Sequence, residues 1–170
     1  TMSDEPLDPQ LDIATATHQD AVIVAAGTAL DTFGDTDTLS GVHAFRLTDT
    51  NDYFTASGSS EQYNIEANGG NDTILGGTAR DWIHGGDGAD YIDGGGSADD
   101  LDGGDGNDTM IAGAGLLHDN PGTDNDFVQG TWFNGGRGSD SMVGNNGGDY
   151  FVLGSGADTI IGAGSQDMIS

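Results

Sequence analysis

Aspartate recurs every nine residues through much of this chain, each time behind a cluster of glycines. From Gly76 to Ile111 the sequence reads GGTARDWIH, GGDGADYID, GGGSADDLD, GGDGNDTMI, four units without a gap. The shared pattern is G-G-x-G-x-D-x-U-x, with U apolar. Asp81, Asp90, Asp99 and Asp108 hold the sixth place, and Ile83, Ile92, Leu101 and Met110 the eighth. Glycines at places one, two and four let the backbone turn through φ > 0 and come close to a ligand. Loops without side chains expose their carbonyls, and the aspartate adds a carboxylate. Hard oxygen donors, with no sulfur or nitrogen among them, suit calcium, which takes roughly six to eight.

The elements that position such loops are short. The last three places read as a strand whose apolar residue points inward while its neighbours point out. A nonapeptide period of this kind is the signature of a calcium-binding parallel β-helix. The first unit in phase is 67–75, ANGGNDTIL, with Asp72 and Ile74. After Ile111 the phase is lost, and 23 residues lie between Ala112 and Asn134. The simplest parse is a repeat at 112–120, an insertion Pro121–Asn125 and a repeat at 126–134. It turns Phe133 inward and puts Leu117 and Thr131 in the aspartate places; an alternative uses Asp126-Phe127-Val128. Either way this zone is expected to lose at least one ion site and to bulge outward. Phase resumes in GGRGSDSMV (135–143), GNNGGDYFV (144–152), LGSGADTII (153–161) and GAGSQDMIS (162–170). These carry Asp140, Asp149, Asp158 and Asp167, with Met142, Phe151, Ile160 and Ile169 inward.

On these residues the chain resembles the RTX, or haemolysin-type calcium-binding, family over residues 67–170. The resemblance implies an all-β fold, a right-handed parallel β-roll of about five recognisable turns, with two nonapeptides to a turn. It also implies several calcium ions, each shared between the loop of one repeat and the loop two repeats on. Carried over position by position, the expected metal ligands include Asp72, Asp81, Asp90, Asp99, Asp108, Asp140, Asp149, Asp158 and Asp167. The loop glycines expected at the ions are Gly77, Gly86, Gly88, Gly95, Gly104, Gly106, Gly136, Gly138, Gly147 and Gly156. Alternation makes the two sides unequal. Units starting at 67, 85 and 103 have Gly70, Gly88 and Gly106 at place four, and two of them carry Asp87 and Asp105 at place three as additional oxygens. Units starting at 76 and 94 have Ala79 and Ser97 at place four. The loops of Asp72, Asp90 and Asp108 are therefore expected to bind calcium more tightly than those of Asp81 and Asp99.

Composition narrows the function classes. A length of 170 residues suits one domain. The net charge is −26, with three arginines and no lysine. So acidic a chain repels itself when compact unless cations neutralise it. It offers no basic patch for nucleic acid. Aspartate supplies 26 of the 29 acidic residues, which indicates ligands more than a solvating surface. Cysteine is absent, so disulfides do not staple the fold. No apolar run approaches the roughly 20 residues of a membrane span.

Residues 1–20 are acidic, carry Pro6 and Pro9, and read as a leader or linker. Ala21-Val22-Ile23-Val24 is a strand or a piece of helix. The D-x-U pattern recurs without glycines in Asp31-Thr32-Phe33, Asp37-Thr38-Leu39 and Asp52-Tyr53-Phe54, as in degenerate coils, and Tyr63-Asn64-Ile65 alternates like a strand. Residues 21–66 are thus expected to be an irregular cap on the open end of the roll. The N-terminus lacks the order of a secretory signal. The last residues fall inside a repeat, as in a piece cut from a larger chain.

Other chemistry finds little support. His18, His43, His84 and His118 form no zinc motif. Ser139 and Ser141 lie in no nucleophile elbow. Trp82, Tyr91 and Tyr150 fall at place seven, on the outer surface, where aromatic residues stack on sugars or simply face water. Thr73, Thr109 and Thr159 share that place, but Tyr91, Asp100 and Met168 break the row that ice binding would need. The expectation is a non-catalytic module that folds on binding calcium outside the cell, as part of a larger secreted or surface protein. The alternatives are a self-assembling subunit of a surface layer or filament, and an accessory domain of a secreted hydrolase or epimerase.

Overall fold

The computed structural model describes residues 11–12, 22–24, 28–30, 36–38, 41–113, 130–146, 148–162 and 166–170. Its strands are β1 (Leu11–Asp12), β2 (Val22–Val24), β3 (Thr28–Leu30), β4 (Thr36–Thr38), β5 (Ala44–Arg46), β6 (Tyr53–Thr55), β7 (Asn64–Glu66) and β8 (Thr73–Leu75). They continue with β9 (Trp82–Asp87), β10 (Tyr91–Asp93), β11 (Asp100–Asp105), β12 (Thr109–Ile111), β13 (Trp132–Asn134), β14 (Ser141–Val143), β15 (Tyr150–Val152), β16 (Thr159–Ile161) and β17 (Met168–Ile169). No helix occurs among the described residues.

Each nine-residue unit delivers one short strand, and successive units deliver alternately to two sheets. One sheet runs β1-β5-β7-β9-β11-β13-β15-β17, and the other runs β16-β14-β12-β10-β8-β6-β2-β3-β4. We call them the first and second sheet. Apart from the β2–β3 and β3–β4 pairs, neighbours pair in parallel, giving a β-solenoid of about 6 turns, a parallel β-roll.

The core is a column of eighth-place residues. Ile65, Ile83, Leu101, Phe133 and Phe151 stack from the first sheet, and Phe54, Ile74, Ile92, Met110 and Met142 face them from the second; all are buried. Parallel register keeps like opposite like, as in Ile92 between Ile74 and Met110. Phe133 and Phe151 stack with ring centroids 4.8 Å apart. On the edge strand β17, Ile169 stays 62% exposed.

Three features differ from the sequence reading. The regular roll begins earlier than residue 67, because β5, β6 and β7 pair in parallel and in phase with the coils that follow. Phe45, Phe54 and Ile65 fill the inward place there without any glycine loop. Beyond them, β2 joins β6 in parallel, but β3 and β4 fold back antiparallel. Thr36–Thr38 is therefore a meander strand and not a degenerate coil.

The third difference is the insertion. Leu101 of β11 lies opposite Phe133 of β13, and Met110 of β12 opposite Met142 of β14. Only one half-turn, the one ending in β13, stands between 103–111 and 135–143, where the simplest parse expected two. Ladder partners across the gap are 32 residues apart instead of 18, an insertion of fourteen residues and not five. The unit 126–134 does supply a strand, with Phe133 inward and Thr131 buried in the aspartate place. Residues 114–129, with Leu117 and Asp126-Phe127-Val128, lie outside the described residues, as do Asp31-Thr32-Phe33.

Phe133 is fully buried and stacked, whereas Ile161 is 55% exposed. Phe133→Ala is expected to cost about 3–5 kcal/mol, the usual range for an aromatic deleted from a core. Ile161→Ala should stay within about 0.5 kcal/mol. Urea denaturation of both variants in calcium checks the contrast.

Candidate metal centre

The sixth-place residue ends each loop just before its strand. The coil therefore stacks these residues in two rows, one on each side of the roll. The row entering the second sheet is Asp52, Asp72, Asp90, Asp108, Asp140 and Asp158; the row entering the first is Tyr63, Asp81, Asp99, Thr131, Asp149 and Asp167. We call them the continuous and the interrupted row.

One hydrogen bond repeats along both. The backbone N–H of a sixth-place residue donates to Oδ1 of the aspartate one coil on. Asp72 donates to Asp90 at 2.8 Å, Asp90 to Asp108 at 2.9 Å, and Asp108 to Asp140 at 3.0 Å. On the other side Tyr63 donates to Asp81, Asp81 to Asp99, and Thr131 to Asp149. Thr131 keeps the ladder with its hydroxyl, which accepts from the Asp99 N–H at 3.4 Å.

The second carboxylate oxygen separates the two rows. Oδ2 of Asp72, Asp90, Asp108 and Asp140 is buried with no hydrogen-bond partner, and on the interrupted row the same holds for Asp99. By contrast, Oδ2 of Asp81 accepts the N–H of Gly77, and that of Asp149 the N–H of Asn145. A buried polar atom left unpaired costs about 1–3 kcal/mol, more when charged. Four such oxygens in sequence along one row therefore mark a place shaped for something that is not protein.

Glycine makes that place possible. Oδ2 of Asp90 tucks against Gly85, where a Cβ would collide with it, and the same holds for Asp108 against Gly103. Gly88, at φ +135°, lets the carbonyl of Gly70 approach its Cα so closely that no side chain fits. Gly106 meets the Gly88 carbonyl in the same way, Gly138 that of Gly106, and Gly156 that of Gly138. The continuous row thus lies beside a file of glycine carbonyls. Gly86, Gly104 and Gly136 of the same loops take positive φ, and Gly77 and Gly95 lie in the loops of the interrupted row. Gly147 lies outside the described residues. Asp158 and Asp167 end their rows with Oδ1 bonded to Asp140 and Asp149.

Asp87 and Asp105 do not turn into the row. The third place joins the ladder, with Asp105 opposite Asp87, and both side chains are exposed. Asp105 pairs with Arg137 at 3.1 Å. Among the described residues no group of three or more His, Cys, Asp or Glu side chains converges on a place where side chains alone could hold a metal ion. A cation here would take one carboxylate from each coil and further oxygens from the backbone, which fits calcium.

Sequence reasoning missed two parts of the centre. Asp52 heads the continuous row, and its Oδ2 accepts from the N–H and hydroxyl of Thr48 at 2.7 and 2.8 Å. Its D-x-F triplet is a visible signal, but it stands 20 residues from Asp72 instead of 18. A fifth-place amide ladder also backs the loops: Asn71 Oδ1 accepts from Ala89, and Asn107 Oδ1 from Ser139.

Burial pushes the Asp72 carboxyl up to about 7, despite the opposing hydrogen bond from Asp52, with Asp90 adding like-charge repulsion. Burial likewise lifts Asp99 to about 8 and Asp108 to about 6. Asp81, Asp90, Asp140 and Asp149 are raised for the same first reason.

A two-sheet coil with its loops in two carboxylate rows defines a calcium-binding β-roll. Four copies of the RTX calcium-binding nonapeptide repeat match this chain, over residues 66–101, 87–115 and 134–169, and the chain belongs to that family. No curated protein and no solved structure matched it.

The raised carboxyls set the pH response of the calcium-free chain. Below pH ~4 aspartates are protonated folded or unfolded; above it the unfolded chain releases its protons first. The folded chain then holds more protons, so its stability falls as pH rises from about 4 through the folded values of about 6, 7 and 8. Far-UV circular dichroism in chelator should show more β structure at pH 5 than at pH 8. A spectrum unchanged over that range would contradict it.

Proposed function

We propose that this chain is a folding switch: a module that orders when calcium fills the two rows, most tightly the continuous one. The observation that carries the reading is the file of unpartnered, buried Oδ2 atoms at Asp72, Asp90, Asp108 and Asp140. Without a counter-ion, ionised carboxylates stack one coil apart, roughly 4.8 Å. Their repulsion and desolvation oppose folding, and so does the entropy of ordering glycine loops. Bound calcium supplies the positive charge and the oxygen coordination that offset both, so binding free energy becomes folding free energy. The expected ligands are the sixth-place carboxylates with the carbonyls of the loop glycines.

The two rows differ in what they offer a cation. On the interrupted row, N–H donors already occupy Oδ2 of Asp81 and Asp149, and Thr131 removes one carboxylate. On the continuous row, Thr48 supplies donors only at the terminal Asp52. A switch of this design has a natural setting. Cytosolic calcium is low, extracellular calcium is of millimolar order, and extracellular modules bind at about 10⁻⁴–10⁻³ M. The chain would remain unfolded inside the cell and fold outside it, as part of a secreted or surface protein.

A calcium titration followed by circular dichroism and light scattering, with magnesium as control, tests this. A cooperative gain of β signal with calcium alone and no scattering is the expected result. A fully folded chain in chelator at pH 8 would overturn the switch, and scattering that rises with calcium would make the chain an assembling subunit. Asp90→Asn should shift the calcium midpoint upward by roughly tenfold, the equivalent of about 1.4 kcal/mol. Asp81→Asn should shift it less. Equal shifts would remove the difference between the rows.

A further inference from the structure

We propose that the outer face of the first sheet, across Trp82, Asp100 and Trp132, is a binding site for a neutral saccharide chain. Parallel register sets these seventh-place residues in line: Asn64 beside Trp82, Trp82 beside Asp100, Asp100 beside Trp132. The two indoles stand two strand spacings apart, about 9.6 Å. They are the only tryptophans in the chain. A groove of about 960 Å³ runs between them, with Arg80, His84 and Asp102 on its walls. Trp82 is 44% exposed there.

Two acid–base pairs lie in the groove, beside Glu66. Arg80 Nη2 lies 2.9 Å from Asp100 Oδ2, and the same guanidinium lies 5.2 Å from the centre of the Trp82 ring. His84 Nδ1 lies 3.5 Å from Asp102 Oδ2. Each pair sets a donor beside an acceptor at the surface, where the hydroxyls of a ligand can join them. That is the pattern neighbouring hydroxyls on a sugar ring need, while half-buried Trp132 and the part of Trp82 that Arg80 leaves exposed offer apolar surface to its C–H side.

Charge separates this ligand from others. A net charge of −26 repels polyanions, and Arg80 is already committed to Asp100. A cationic ligand would compete with the guanidinium already held over Trp82. On the second sheet the described seventh-place residues Tyr53, Thr73, Tyr91, Thr109, Ser141 and Thr159 include no tryptophan and no charged side chain.

Because both tryptophans line the groove, fluorescence of the calcium-loaded full chain under tryptophan-selective excitation reports on it. The probes are cellohexaose, xylohexaose and mannohexaose, with hexagalacturonate as the acidic counterpart. A saturable emission shift is expected with at least one neutral hexasaccharide and none with hexagalacturonate. Trp82→Ala leaves Trp132 to report and should weaken that binding roughly tenfold with an unchanged far-UV spectrum. Should that variant lose its fold, Asp100→Asn carries the same test. No shift with any neutral probe overturns the proposal. So does a shift shared by hexagalacturonate, or binding undiminished in the folded variant.

Discussion

Everything in this roll turns on a carboxylate that is buried before it is neutralised. From Asp72 to Asp167 each sixth-place aspartate commits one oxygen to the backbone N–H of the preceding coil. That bond fixes the rotation of the side chain and aims the other oxygen into the loop. At Asp72, Asp90, Asp108 and Asp140 of the continuous row the aimed oxygen has no hydrogen-bond partner within the protein. The raised carboxyls state the same fact thermodynamically: the fold prefers these groups uncharged, and neutral water prefers them charged. Every tenfold weakening of such an acid on folding corresponds to about 1.4 kcal/mol. Three groups raised from 3.8 to about 6, 7 and 8 therefore oppose folding at neutral pH by on the order of 10 kcal/mol, comparable with the whole stability of a domain.

The rest of the structure follows from satisfying that group. First-place glycines leave room for the carboxylate, and fourth-place glycines let carbonyls of adjacent coils close up beside it. Strands can be only three residues long because they need do no more than point one apolar side chain inward and pass the chain to the next loop. Such strands have little stability by themselves, so the column from Phe54 to Phe151 and the parallel ladder hold the coil in register. Where the loop chemistry lapses, at Tyr63 and Thr131, the ladder persists with other atoms: an N–H donates onward from each, and the Thr131 hydroxyl takes the carboxylate's part.

The sequence was most legible where one residue type served one purpose at a fixed interval. Inward residues from Ile74 to Phe151 and buried aspartates from Asp72 to Asp149 occupy the places that the nonapeptide assigned them. Legibility failed where the interval changed. Fourteen added residues erased the count between β12 and β13, and with Thr131 in the aspartate place nothing in the composition reveals to which sheet Phe133 belongs. Asp52 was read as part of a degenerate coil and not as the head of the row, because an extra pair of residues and Thr48 replace the phase and the glycine. Asp87 and Asp105 stand apart for a different reason. A carboxylate beside a glycine reads as a ligand, but the third place belongs to the extended ladder, which turns it outward, in Asp105 onto Arg137.

A repeat so constrained at places one, two, four, six and eight leaves the outward strand places to vary without harm to the coil. Register then turns that freedom into a surface. Residues nine apart face different sheets, but residues eighteen apart become neighbours on one sheet, so a few choices scattered along the sequence assemble side by side. Trp82, Asp100 and Trp132 are separated in the chain and consecutive across the ladder. Calcium-dependent folding and a lateral recognition face are therefore compatible in one short period. The first uses the loops and the inward places, the second uses the outward places, and neither needs a residue that the other requires.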